Sequence, residues 1–76
     1  MRLGKYLSDL TKPELEELKE QLNLSEDEEL IFSALSKIKS RSEMSFMYKM
    51  SERTIDRKVK HITEKVKRMK GYENHG

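Results

Sequence analysis

The stretch Ser51-Glu52-Arg53-Thr54-Ile55-Asp56-Arg57-Lys58-Val59-Lys60-His61-Ile62-Thr63-Glu64-Lys65-Val66-Lys67-Arg68-Met69-Lys70 decides how the chain is read. Ile55, Val59, Ile62, Val66 and Met69 recur at spacings of four, three, four and three, the period of a single helical stripe. Ser51 stands where an N-cap is needed, and Met50 and Ile55 occupy the staple positions around it. A helix is therefore predicted over 51–70, ending before Gly71. On a wheel of 3.6 residues per turn, Arg53, Arg57, Lys60 and Glu64 point away from the apolar seam, with Asp56 and His61 on its shoulders. One helix thus carries a core face and a basic face.

Upstream, the chain punctuates itself three times with a capping box, in which a small hydroxyl residue and a glutamate three positions later cap each other's amides. Ser40-Arg41-Ser42-Glu43 opens a short helix through about Tyr48, whose Met44, Met47 and Tyr48 are expected to face inward, and the turn Lys49-Met50 follows. Ser25-Glu26-Asp27-Glu28 opens a helix over about 26–37, with an apolar stripe of Leu30, Ile31, Ala34, Leu35 and Ile38. The acids in its first turn complement the positive end of the helix. Thr11-Lys12-Pro13-Glu14 opens a helix over about 12–22, stapled by Leu10 and Leu15 and striped by Leu15, Leu18 and Leu22. Residues 1–10 place Leu3, Tyr6, Leu7 and Leu10 at helix-like spacing, although Gly4 weakens a helix there. Residues 71–76 read as a frayed tail.

The 76 residues include no cysteine, one proline and three glycines, with 34% hydrophobic and 39% charged residues. One small all-α domain spanning 1–76 is expected, a bundle of about four helices with supporting helices in 11–38 and a helical pair in 40–70. A chain this short buries only about 60% of its unfolded surface, which disfavours a deep substrate cleft. No nucleophile–base pair and no glycine-rich phosphate loop is present, so no enzyme activity and no cofactor is expected. His61 and His75 lack supporting ligands, so no metal site is expected either. The acids at 26–29 lack the alternating ligands and central glycine of a calcium loop. No apolar segment approaches the roughly 20 residues of a membrane span, and no signal-peptide core follows Met1, so a cytoplasmic protein without membrane contact is expected.

The net charge of +2 conceals a division. Residues 1–38 hold five Lys/Arg against nine Asp/Glu, residues 39–76 hold eleven against five, and residues 51–70 alone hold eight against three. Such asymmetry suits a polyanion-binding surface, and a solvated helix face is the alternative. A short and a longer helix joined by a tight turn have the plan of a helix-turn-helix, in which the first helix props the amino-terminal turns of the second in the major groove. Arg53 and Arg57 are the candidates for reading guanine edges, because a guanidinium donates twin hydrogen bonds there. Ser51, Thr54, Lys58, Lys60 and Lys67 are candidates for phosphate contacts, and Glu52, Asp56 and His61 complete the candidate DNA-binding set.

The stretch 40–55, Ser-Arg-Ser-Glu-Met-Ser-Phe-Met-Tyr-Lys-Met-Ser-Glu-Arg-Thr-Ile, resembles the helix-turn-helix of sigma-factor region 4 and of LuxR-type regulators, and small phage transcription regulators carry similar segments. Glu43 matches the family's acid, Met44 an aliphatic, Ser45 the usual alanine, Tyr48 a leucine, Met50 the next aliphatic, and Ser51, Thr54 and Ile55 the start of the recognition helix. Residues 24–32 resemble the family's supporting helix, so the resemblance covers about 24–68. It implies sequence-specific binding of double-stranded DNA by a transcription regulator with its recognition helix at 51–70. It further implies a nucleoid-associated place in a bacterial or phage-infected cell, with RNA polymerase as a partner. Two positions depart from the pattern. Ser45 replaces alanine, a small change that is tolerable if its hydroxyl bonds back to a carbonyl one turn earlier. Lys49 replaces the turn glycine, so either the turn is built differently or a lysine at positive φ costs stability.

A rival reading belongs to another class. The seam 55/59/62/66/69 is also a coiled-coil seam on a helix roughly 26 Å long, more than a three-helix motif must cover. Val66 and Met69 would then be left over for a second copy. On that reading the chain is a helical protein-interaction module, an oligomeric adaptor or inhibitor that does not bind DNA, or else a homodimer whose two copies read two half-sites.

Overall fold

The computed structural model describes residues 2–70, and its described residues form five helices. They are α1 (Leu3–Ser8), α2 (Lys12–Leu22), α3 (Glu26–Ser36), α4 (Arg41–Tyr48) and α5 (Glu52–Lys70). No strand occurs among them. The expected tail, 71–76, lies outside the described residues. All three capping boxes close in both directions. The hydroxyls of Thr11, Ser25 and Ser40 accept the amides of Glu14, Glu28 and Glu43, and each glutamate accepts the amide of its own cap residue. Three helix starts are therefore set by local chemistry, independently of the rest of the fold.

The core shows how the helices share burial. α5 packs against α2, α3 and α4, and α1 packs against α3. Ile55, Val59, Ile62 and Val66 form its spine, met by Leu18 and Leu22 of α2, by Ile31, Phe32, Ala34 and Leu35 of α3, and by Met44 of α4. Leu3 and Leu7 bring α1 into the same cluster, which makes a helix of a segment that Gly4 would weaken in isolation. Gly4 is not sterically required there, since an added Cβ would meet the Leu35 carbonyl oxygen at 3.7 Å, an ordinary contact.

Several expectations for buried residues are corrected. Ile38 is 69% exposed because α3 ends at Ser36 and the chain leaves it by a left-handed step. The Lys39 amide reaches the Ala34 carbonyl and the Ile38 amide the Leu35 carbonyl, which is the Schellman closure. That closure puts Ile38 at φ 57°, a position glycine normally takes. Leu30 is half exposed, and Phe32, on the other side of the stripe, is buried in its place. Met47 also faces outward at 47%, leaving Met44 as the buried methionine of α4 and Tyr48 partly buried with its hydroxyl on the Leu30 carbonyl. Val66 is fully buried, so it is not left over for a second copy; of that pair only Met69 is exposed.

Candidate nucleic-acid interface

The connection between α4 and α5 is three residues long, Lys49 to Ser51. Lys49 adopts φ 57° and ψ 42°, so the turn keeps the left-handed step while using lysine for it. An L-residue there carries a penalty of about 1–2 kcal/mol, because its Cβ crowds the following carbonyl. Ser45 offsets part of this by closing the turn from both ends. Its carbonyl accepts the amides of Lys49 and Met50, and its hydroxyl donates forward to the Met50 carbonyl at 2.5 Å. The hydroxyl bonds forward into the turn rather than back to a carbonyl one turn earlier, and so ties the end of α4 to the connecting residues.

Beyond the turn, Ser51 caps α5 by accepting the Thr54 amide at 3.1 Å and donating to the Thr54 hydroxyl at 2.9 Å. Two side chains of α4 brace the next turn of α5. The Ser42 hydroxyl donates to Glu52 at 3.0 Å and the Arg41 Nε to Asp56 at 2.5 Å. Glu52 and Asp56, both in the candidate set, thus have partners within the protein, and the angle between the two helices is held at its amino-terminal end. Glu43, in the box that starts α4, is held below its ordinary value by the Ser40 amide, aided by Lys39.

The cations of α5 separate by face. Arg53, Arg57 and Lys60 lie exposed on the outward side, opposite the buried seam, and have no ion pair or hydrogen bond to a side chain among the described residues. Lys67, farther along, is half-buried and likewise unpaired among them. Lys58, His61 and Lys65, spaced three and four apart, share the flank that faces α3. Lys58 sits 3.8 Å from Asp27, His61 Nδ1 lies 2.6 Å from one oxygen of Glu28, and Lys65 Nζ lies 3.2 Å from the other. A shallow depression of about 390 Å³ lies along this side, lined by Glu28, Arg57, Lys58, Lys60, His61 and Glu64.

Glu28 is the residue that sequence reasoning undervalued. Treated as a capping acid alone, it is in fact only 5% exposed and ties α3 to α5 as well as capping α3. Burial pushes its carboxyl up, but the Ser25 amide and the Lys65 and His61 side chains outweigh this and lower it to about 2. A signal was available: Glu28 precedes Ile31 and Leu35 at spacings of three and seven, which places it on the buried stripe. Across from it, the 58/61/65 spacing marks one flank of α5 in the same way.

Among the described residues no three His, Cys, Asp or Glu side chains are grouped to hold a metal ion, and no helix is long and apolar enough to cross a membrane. No family model, curated protein or solved structure matches the chain.

Proposed function

We propose that the chain is a double-stranded DNA-binding protein, a transcription regulator that lays α5 in the major groove with α4 and the Lys49–Ser51 turn completing a helix-turn-helix. The observation that carries this reading is the outward face of α5, where Arg53, Arg57 and Lys60 stand exposed without an acid partner among the described residues. The same helix is anchored by four buried residues on its other side, so the cations are presented by a rigid element. Arg57, near the middle of that face, is the candidate for base reading, and Lys60 for phosphate. Duplex binding should therefore weaken steeply with salt. Fluorescence anisotropy with no binding of any duplex at low salt would refute it. Selection from a random duplex pool would supply the preferred site, and an enriched palindrome would establish dimeric binding.

A second reading is favoured by a separate observation. Phe46 is 86% exposed on α4, with Met47 and Leu30 about half exposed, which suits a helical module that docks on another protein. Sedimentation distinguishes its self-associating form, since Phe46→Ser would convert a dimer to a monomer.

A further inference from the structure

The cations available to a duplex are placed unequally on the two sides of α5. Toward α3, Lys58, His61 and Lys65 are met by Asp27 and Glu28, and Glu26 and Glu29 stand exposed in the same turn of α3. The depression on that side is also lined by Arg57, Lys60 and Glu64, so that four lysines and arginines there (Arg57, Lys58, Lys60 and Lys65) face five acids (Glu26, Asp27, Glu28, Glu29 and Glu64). On the other side, a groove of about 950 Å³ runs between α1, the end of α3, the start of α4 and the middle of α5. Its lining includes Arg2, Lys5, Lys39, Arg41 and Lys60 against Asp9 and Asp56, three more cations than anions. Asp56 is already engaged by Arg41, whereas Arg2, Lys5 and Lys60 have no ion pair among the described residues. Lys60 belongs both to the groove and to the outward face of α5, so the positive surface is continuous from the helix into the groove.

A helix in the major groove, about 12 Å wide, has a phosphate strand on each side. We infer that the strand on the α1 side runs along this groove, held by Arg2 and Lys5 together with Lys60, while the α3 side adds no unpaired cation to the Arg57 and Lys60 that the outward face of α5 already supplies. The inference rests on the DNA-binding reading of α5 and adds a second contact surface and a direction of docking to it. It brings into the interface the first residues of the chain, which belong by composition to the acidic half.

The test compares the protein with its Arg2→Gln/Lys5→Gln variant, and uses Lys12→Gln on α2 as a control with one charge removed elsewhere. Affinity for one random and one selected duplex is measured by anisotropy across a salt series. The double variant should weaken both duplexes alike and lower the slope of log affinity against log salt by about 1.8, some 0.9 per phosphate released, while Lys12→Gln leaves the slope unchanged. Arg2→Lys/Lys5→Arg should keep the wild-type slope. Should circular dichroism show the double variant unfolded, Lys5→Gln alone decides, with an expected fall of about 0.9. A wild-type slope in a folded double variant, or a loss no larger than that of Lys12→Gln, overturns this inference alone and leaves α5 as the DNA contact. Absence of wild-type binding to either duplex overturns it together with the DNA-binding reading.

Discussion

The outward face of α5 and its α3-facing flank are built from the same kinds of residue under opposite conditions. Arg53, Arg57 and Lys60 stand in solvent without acid partners among the described residues, whereas Lys58, His61 and Lys65 lie against Asp27 and Glu28. The side chains of Lys58 and Lys65 are only 29% and 25% exposed. A cation already neutralised by a neighbouring carboxylate has little left to offer a phosphate, and separating it from that carboxylate costs free energy. The role of a lysine on this helix is therefore set by what the next helix places opposite it. By the same criterion Glu28, an acid in a chain proposed to bind DNA, is a structural residue of the bundle.

The largest expected effect comes from breaking the α3-facing flank. Glu28→Ala should cost about 3 kcal/mol of folding stability in urea denaturation, because it leaves the Ser25 amide and the half-buried Lys65, together with the exposed His61, without their shared acceptor. Duplex affinity of the folded variant should not fall, and a fall would break the distinction between the two faces. A closely related effect is expected with pH. The Glu28 carboxyl is lowered from 4.5 to about 2, so its contribution is present in full above about pH 4.5 and is lost as pH falls toward 2. The loss should reach about 2–3 kcal/mol, and Glu28→Gln should flatten this acid limb in denaturation curves recorded between pH 6 and 2.

The outward face should behave in the converse way. Arg57→Ala should cost about 1–3 kcal/mol of binding on a selected site and relax base preference, while its folding stability stays within about 0.5 kcal/mol of the parent. Lys60→Ala should weaken all duplexes alike. Equal losses for Arg57→Ala on selected and random duplexes would remove Arg57 from base reading. The smallest effects concern the turns that hold α5 in place. Ile38→Gly should raise stability by about 1 kcal/mol and Lys49→Gly by about half as much, since both residues sit at φ 57°. Thermal melts check both, and a lower Tm for either would show that its side chain makes a contact outweighing the backbone strain.

The starts of α2, α3 and α4 were legible because a capping box is contained within four residues and its hydrogen bonds do not depend on the rest of the molecule. The seam of α5 was legible as far as Val66 because a long amphipathic helix repeats its signal, here four times over Ile55, Val59, Ile62 and Val66. The expectations that failed lie at helix ends and on shoulders of the wheel. Ile38 fits the stripe of α3 by spacing, yet the helix ends before reaching it. Met47 and Leu30 stand at the margin of their stripes, where the packing of neighbouring helices decides exposure. In the candidate site, Arg53, Arg57 and Lys60 could be placed outward from periodicity alone. The partners of Glu52, Asp56, Lys58 and His61 lie 10 to 33 residues away in the chain, beyond the reach of any local pattern.

Sequence by itself determined that this chain is helical, where three of its helices begin, and that α5 has an apolar and a basic side. These features rest on hydrogen bonds and periodicities within one helix. Only the tertiary structure decided which basic residues remain available, because ion pairs depend on distances between helices rather than on composition. It also made a helix of residues 3–8, through the burial of Leu3 and Leu7, and so carried Arg2 and Lys5 from the acidic half to the edge of the basic helix. The near-neutral net charge is the sum of these parts, and its distribution followed from how the helices packed.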